Sequence, residues 1–418
     1  MKDRHRLRVN ILGLGGIQGL NMLLTLVTLP YLTRVFGAAG WGNIVFVLLV
    51  VNYLTTFINW GFYLGAAQRI SANREDSKKL LEIIASVMTA QLMLTVASIS
   101  ILVLFALFVA TSQTSYLYIS SITILIGNFL NPSWILQGLE KVWEASFVVF
   151  LSKLIALPLI FILIQGVDDS VVYILLNGTA SIVIGIFSIF WMTKKGIFEW
   201  QFAGVGNAFK VIAEDSRVFF TSIISILNDS IIPLSLGLTG GSAELGLFNI
   251  ADRIKGACIA LFNPILHAIT PRIAYLSSSK QAGISNILKT SFLVTFGVAT
   301  VLGLVIFAYA TQIIEFIGGA NFEGAIEMLQ LLSPIPTISA LSALIVYSVL
   351  IPLRHKNYYF SSSLLGLLIT LVIIYPSLYF FPTNGAAVAL LVSDLARFLL
   401  LLACMWFLRS SIASGDNL

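Results

Sequence analysis

The sequence predicts an all-α integral membrane protein with twelve transmembrane helices, six in each half of the chain. Apolar runs of about 20 residues, the length that crosses a bilayer, recur along the whole sequence. Only 10% of the 418 residues are charged, and the mean hydropathy is +0.96. A soluble globular protein of this length does not need so much apolar surface. No segment alternates in the manner of an outer-membrane barrel strand.

The twelve spans follow one another with short loops, and a polar stretch separates the two sets of six. We therefore expect an N-terminal six-helix bundle over residues 1–192, a cytoplasmic linker over 193–215 and a C-terminal six-helix bundle over 216–418. The predicted spans are Val9–Thr33, Gly42–Ala66, Leu80–Ala110, Tyr116–Gln137, Glu144–Gln165, Ser170–Met192, Ser216–Leu238, Gly246–Ile273, Ile284–Ala308, Ala325–Ile351, Asn357–Phe381 and Asn384–Leu408.

The loop charges support this count. With the N-terminus in the cytoplasm, the cytoplasmic segments hold 18 of the 24 lysines and arginines, whereas the outer loops hold only Arg34. A miscount by one helix would scramble this alternation, so the positive-inside rule predicts that both termini are cytoplasmic. The two halves also resemble each other at their second spans, where "GWGNIVF" at residues 40–46 parallels "LGLFNIA" at 245–251. This match indicates a parallel repeat.

The eighth span contains a cluster of charged residues near its start, at Asp252, Arg253 and Lys255. Charges inside a membrane span are costly, and they usually face a bundle interior or a water-filled cavity. Asp252 and Lys255 are three residues apart and can pair on one helix face. Arg253 projects about 100° away and is expected to have no local partner. The alternative is that Arg253 and Lys255 extend to the nearby interface.

Four more charged residues are predicted to lie deep in other spans. Lys153 in the fifth span has no acid three or four residues away and is expected to face a cavity. Arg397 in the twelfth span follows Asp394 by three residues, so an internal salt bridge is the simpler interpretation there. Asp229 in the seventh span is a candidate protonation or cation site, or a counter-charge for Arg253.

Together these residues give four cations against three anions, which would suit an anionic group such as a phosphate. No catalytic constellation is evident, and no known catalytic or phosphate-binding motif occurs. The two cysteines, Cys258 and Cys404, lie in apolar segments and offer no metal site. We therefore predict a protein that is not an enzyme and that needs no metal or other cofactor.

Several motifs resemble those of one transporter family. They are "TLPYLTRVFGAAGWGNIVF" at residues 28–46, "WGFYLGAAQRISANRED" at 60–76, "NPSWILQGLEK" at 131–141 and the eighth span. Together they resemble the Wzx-type O-antigen flippases, a polysaccharide transporter family within the multidrug/oligosaccharidyl-lipid/polysaccharide exporter superfamily. One departure lies in the eighth span, where Asp252-Arg253 stands in place of a glutamate-lysine type of pair.

The resemblance implies two six-helix bundles around a central cavity that opens alternately to each side. It implies a flippase for lipopolysaccharide biosynthesis, moving undecaprenyl-pyrophosphate-linked O-antigen repeat units across the bacterial inner membrane. Lys153, Arg253, Lys255 and Arg397 become candidate substrate contacts, and Asp229, Asp252 and Asp394 candidate counter-charges or coupling-ion sites. The expected partners are this lipid-linked oligosaccharide, the bilayer, a coupling cation (H+ or Na+) and other O-antigen assembly proteins, with no nucleic acid.

Three alternatives stay open. A drug or cation antiporter of the same superfamily would share the fold but should have an acidic lumen. A polytopic membrane enzyme should show either the large outer loop of an O-antigen polymerase or the committed histidine or acid of an acyltransferase, and the sequence shows neither. A purely structural scaffold is disfavoured by the deep charges.

Overall fold

The computed structural model describes residues 2–239, 241–262, 273, 284–351 and 356–414, and every regular element in these ranges is a helix. The α-helices are α1 (Lys2–Asn59), α2 (Gly65–Ala72), α3 (Ser77–Phe108), α4 (Ser112–Ser120), α5 (Ile122–Phe129), α6 (Ser133–Gly138), α7 (Val142–Leu163), α8 (Ser170–Lys194), α9 (Val205–Thr239), α10 (Ser242–Ala260), α11 (Ile284–Ala308), α12 (Ala310–Ile317), α13 (Gly324–Leu332), α14 (Ile335–Ile345), α15 (Lys356–Phe380) and α16 (Gly385–Ser414).

Ten helical runs in the described residues are long and apolar enough to cross a membrane. The all-α membrane fold is thereby confirmed, while the count of twelve stays a prediction. The first and second predicted spans join within α1, and the run counted there, Val27–Asn59, contains only the end of the first. The eighth predicted span, Gly246–Ile273, lies partly outside the described residues and is represented by α10.

Helix α1 is interrupted at Gly37, between the first two predicted spans. Gly37 has φ +64° and ψ 179°, a conformation that a side chain at this position would strain. The chain therefore turns from one predicted span to the next at a single glycine, with helix on both sides of it.

A π-helical turn lies near the end of the tenth predicted span. Helix α14 continues into Val346–Leu350, where the backbone hydrogen bonds join residues five positions apart. Such turns insert one extra residue into an otherwise α-helical run. Val346 and Leu350 are buried in a core cluster with Leu401 of α16.

The chain divides into two compact units, unit 1 (residues 1–226) and unit 2 (residues 227–418). The unit boundary falls inside α9, whereas the sequence placed the end of a linker at residue 215. The division at 193–215 stays a prediction, but residues 205–215 are the beginning of α9 and so form regular helix.

The predicted linker is packed against unit 1. Phe198, Ala208 and Val211 are buried in a core cluster that also contains residues of α2 and α3. The hydroxyl of Thr89 in α3 accepts a hydrogen bond from the backbone N–H of Ala203 at 2.9 Å. This segment therefore belongs to the folded core of unit 1.

An ion pair with a buried carboxylate joins the start of α9 to α2. Arg69 donates two hydrogen bonds to the Asp215 carboxylate at 2.8 and 2.7 Å, and the Asp215 side chain is only 4% exposed. Gly65 permits this contact because a Cβ at that position would overlap the Asp215 carboxylate. Nearby, the Trp60 indole N–H donates to the Ile212 carbonyl at 2.8 Å.

Replacing Arg69 with alanine is expected to lower the free energy of unfolding by about 3 kcal/mol, because the buried Asp215 carboxylate loses its partner. The measurement is thermal unfolding of the purified full-length chain in detergent. Arg74→Ala is the matched control, since the Arg74–Glu140 pair is well exposed on both sides and such pairs contribute less than about 1 kcal/mol. Equal effects of the two substitutions would contradict this role for Asp215.

Candidate functional site

A polar cavity of about 430 Å³ lies within unit 2. It is enclosed by the last part of α9, by α10, and by α14, α15 and α16. Five ionisable side chains that the sequence singled out line it together, although they come from three separate helices. They are Asp229, Asp252, Lys255, Asp394 and Arg397.

Helix α10 contributes one face to the cavity wall. Phe248, Asp252, Lys255 and Ile259 follow one another at helical spacing of three or four residues, and all four line the cavity. Lys255 donates to the Asp252 carboxylate at 2.5 Å, which confirms the predicted pair. The Lys255 side chain is 13% exposed, so its charge is held largely away from solvent.

Arg253 lies on a different face of α10 and does not line this cavity. Its Nε donates to the Asn249 side-chain oxygen at 2.9 Å, one turn earlier. The expectation that Arg253 has no local partner is therefore wrong. That expectation took account only of acidic partners, whereas the amide oxygen of an asparagine also accepts a hydrogen bond from a guanidinium.

Helix α16 contributes Asp394 and Arg397 to the cavity wall. No ion pair within 4.0 Å joins them in the described part of unit 2, so the predicted internal salt bridge is not formed. Ser339 of α14 lies 3.4 Å from an Asp394 carboxylate oxygen. The Arg397 Nε is shielded from solvent and has no hydrogen-bond partner among the described residues. Its stem passes close to Gly366 of α15.

Hydroxyl and amide groups complete the cavity lining, and the sequence analysis did not select them as site residues. The Thr370 hydroxyl of α15 lies 2.9 Å from that of Ser393 in α16, and both side chains are buried. Asn228 and Asp229 of α9 lie one turn before Pro233, which also lines the cavity. Asn228 could have been found from its position next to Asp229, but Thr370 and Ser393 resemble ordinary helix-packing residues in the sequence.

Lys153 belongs to unit 1, in the middle of α7, and its side chain is exposed there. It is therefore not part of the unit 2 cavity. With Arg253 also turned away, the described residues that line the cavity include three carboxyl groups and two basic groups. Among these residues, the surplus of positive charge expected from the sequence is not found. The binding roles of Lys153, Arg253, Lys255 and Arg397 stay predictions.

The three carboxyl groups do not cluster around one point. Within the described ranges, no group of three or more histidine, cysteine or acidic side chains is close enough to hold a metal ion. Asp252 already accepts from Lys255, and Asp394 faces a serine hydroxyl. The arrangement is suited to holding a polar or charged group, because hydrogen-bonding side chains converge on one cavity inside an apolar bundle.

The fold and this polar cavity define a multi-pass membrane protein with the architecture of the MOP superfamily transporters. An inward-facing multidrug resistance MATE family transporter of that superfamily superposes with a TM-score of 0.71 at 15% identity, covering 94% of this chain and 95% of the other. The lipid II flippase MurJ, in an inward closed conformation, gives a TM-score of 0.72 at 13% identity, covering 95% and 87%.

Sequence comparison defines the family. Residues 7–277 match the family described as "Polysaccharide biosynthesis protein", and the chain belongs to it. A "Putative O-antigen transporter" of Escherichia coli (strain K12) is 30% identical over 393 residues, covering 93% of this chain and 94% of the relative. A protein of the same description from Shigella dysenteriae is 23% identical over 396 residues, covering 95% and 99%. These matches confirm the resemblance found in the sequence motifs.

If the unit 2 cavity holds water, a cysteine at Ser339 should react rapidly with a charged thiosulfonate reagent, because the thiolate forms only where water solvates it. The assay uses the full-length chain in nanodiscs, with Cys258 and Cys404 replaced by serine. Val372→Cys on α15, where the valine is 73% exposed but lies outside the cavity, is the control. We expect at least about tenfold faster labelling of Ser339→Cys, and equal rates would show that the cavity is dry.

Proposed function

We propose that the chain is a flippase that moves undecaprenyl-pyrophosphate-linked O-antigen repeat units from the inner to the outer leaflet of the bacterial inner membrane. In this proposal it works by alternating access, as a multi-pass protein with both termini in the cytoplasm. The positive-inside distribution of lysine and arginine supports that orientation.

One observation carries the proposal. The E. coli relative named as an O-antigen transporter aligns over 94% of its own length at 30% identity. The likeness therefore extends over nearly the whole chain, beyond the apolar composition that unrelated membrane proteins share. The shared fold with a lipid II flippase is consistent with a lipid-linked substrate.

The proposed substrate contacts are basic side chains, because the substrate carries a pyrophosphate. Lys255 and Arg397 present ammonium and guanidinium groups to the unit 2 cavity, and both groups bind phosphate oxygens by charge-assisted hydrogen bonds. Lys153 and Arg253 are retained as candidate contacts outside this cavity. The lipid tail would remain in the bilayer while the polar headgroup passes through the protein.

The three carboxyl groups give the cavity a second proposed role. Asp229, Asp252 and Asp394 surround a space that is reached by hydroxyl groups of Ser339 and Thr370. Oxygen ligands of this kind hold protons or hard cations. We assign these aspartates as counter-charges or coupling-ion sites. A proton needs only one carboxylate, whereas Na+ would need further oxygen ligands, such as the Ser339 and Thr370 hydroxyls.

A cation antiporter of the same superfamily is the second candidate. The excess of carboxyl over basic groups in the unit 2 cavity favours it, because an acidic lumen suits a cationic cargo. An enzymatic function has no comparable support, since no histidine or cysteine is found among the described residues that line the cavity. We therefore propose that the chain is not an enzyme.

Deleting the gene in its O-antigen-producing host should trap complete lipid-linked repeat units on the cytoplasmic leaflet and abolish long-chain O-antigen. The measurement is extraction and leaflet assignment of the lipid-linked intermediates. Single units that still reach the lipopolysaccharide core, with only polymer missing, would point to a polymerase. Unchanged O-antigen would favour the antiporter.

Replacing Asp394 with asparagine should reduce surface O-antigen at least about tenfold, because the coupling charge is removed while the size of the side chain is kept. The measurement is complementation of the deletion strain at matched membrane levels of protein. Asp168→Asn is the control, since Asp168 is exposed outside the cavity. Normal export by the Asp394 variant would remove this residue from the proposed coupling site.

A further inference from the structure

A second cavity, of about 610 Å³, lies within unit 1. Its walls are the end of α2, the first turns of α3, residues 201–203 and the start of α9. These segments carry basic residues that the positive-inside rule assigns to the cytoplasm. The cavity therefore opens on the side where a substrate made in the cytoplasm would arrive.

The walls of this cavity are held in place by contacts that lie behind it. Arg69 is fixed by its two hydrogen bonds to Asp215, and Asn73 donates to the Arg69 carbonyl at 2.8 Å. The Ala203 N–H is bonded to Thr89. Because these contacts fix the backbone on both sides, the cavity is formed before any ligand binds, as is usual for small-molecule sites.

Several lining groups have unused hydrogen-bonding capacity. The side chains of Glu82, Asn207 and Lys210 form no hydrogen bond or ion pair with the described residues. The Glu82 carboxylate is a hydrogen-bond acceptor, the Asn207 amide is both donor and acceptor, and the Lys210 ammonium is a donor. Phe202 adds an aromatic ring that is 58% exposed. Polar groups that converge around one aromatic face are typical of a binding site.

The cavity carries charges of both signs. Arg69 pairs with Asp215 and Glu214, and Lys79 pairs with Asp76, which leaves Glu82 and Lys210 without an ion pair among the described residues. A strongly charged ligand of either sign would meet a like charge, which is unfavourable. A neutral ligand with many hydroxyl groups avoids this repulsion, because each hydroxyl both donates to and accepts from the wall.

We propose that this unit 1 cavity binds the neutral, polyhydroxylated sugar portion of the lipid-linked substrate on the cytoplasmic side. The inference rests on the flippase function proposed above, and it adds a sugar-holding site in unit 1 to the charged cavity of unit 2. Asn207, Lys210 and Glu82 hydrogen-bond sugar hydroxyls, and the Phe202 ring packs on the apolar face of a sugar ring.

The test measures binding to the full-length chain in nanodiscs by saturation-transfer difference spectroscopy. The probe is the host's repeat-unit oligosaccharide, released from its lipid pyrophosphate by mild acid. Asn207→Ala and Phe202→Ala should each weaken binding about fivefold or more. Phe209→Ala is the matched control, since Phe209 is also 58% exposed and lies on α9 outside the cavity. Each variant is first checked for unchanged membrane level and thermal unfolding.

Competition separates the ligand classes. Inorganic pyrophosphate should leave oligosaccharide binding unchanged, and displacement by pyrophosphate would overturn the proposal in favour of an anion site. Equal losses in all three variants, or no binding to the unmodified chain, would also overturn it. If the gene deletion traps lipid-linked units but the purified chain does not bind the oligosaccharide, the sugar site is refuted and the flippase function is not. Binding that depends on Asn207, together with unchanged O-antigen after deletion, would support the site and refute the flippase.

Discussion

The free-energy cost of placing charge among apolar helices governs the arrangement of unit 2. Each ionised side chain inside a span costs a few kcal/mol unless it reaches water or a partner. The chain meets this constraint by bringing five such side chains to one cavity. The 2.5 Å contact between Lys255 and Asp252 satisfies two of them locally. Asp229, Asp394 and Arg397 share the polar space and form no ion pair among the described residues, although Asp394 faces the Ser339 hydroxyl.

Unit 1 meets the same constraint in a different way. Arg69 and Asp215 form a closed bidentate pair, and glycine at position 65 makes room for the carboxylate. Such a pair contributes little net stability relative to apolar packing but is costly to break. It fixes the relative position of α2 and the start of α9, so the neighbouring cavity has defined walls. In unit 1, Arg69 and Asp215 are paired with each other. In unit 2, three of the five charged side chains that line the cavity form no ion pair among the described residues.

The sequence could predict which charged residues would carry a free-energy cost in a membrane, but it predicted only some of the contacts that reduce this cost. The spacing of Asp252 and Lys255 was sufficient to predict their ion pair, since a helix brings residues three apart together. The same rule failed for Asp394 and Arg397, because Ser339 and Gly366 on neighbouring helices set their surroundings. The Arg69–Asp215 pair joins residues 146 positions apart, and no local periodicity can reveal such a contact. Motif resemblance predicted the family because it draws on the whole chain.

The π turn at Val346–Leu350 affects how relatives of this chain should be aligned. One extra residue in a helix rotates everything beyond it by about 100° about the helix axis. Ser339 and Ala343, which line the cavity, precede this turn. A relative that lacks the extra residue would keep these two side chains in register but present different side chains within the turn itself. Such a relative corresponds to this chain through a one-residue gap within Val346–Leu350, and an ungapped alignment would misplace buried residues such as Leu350.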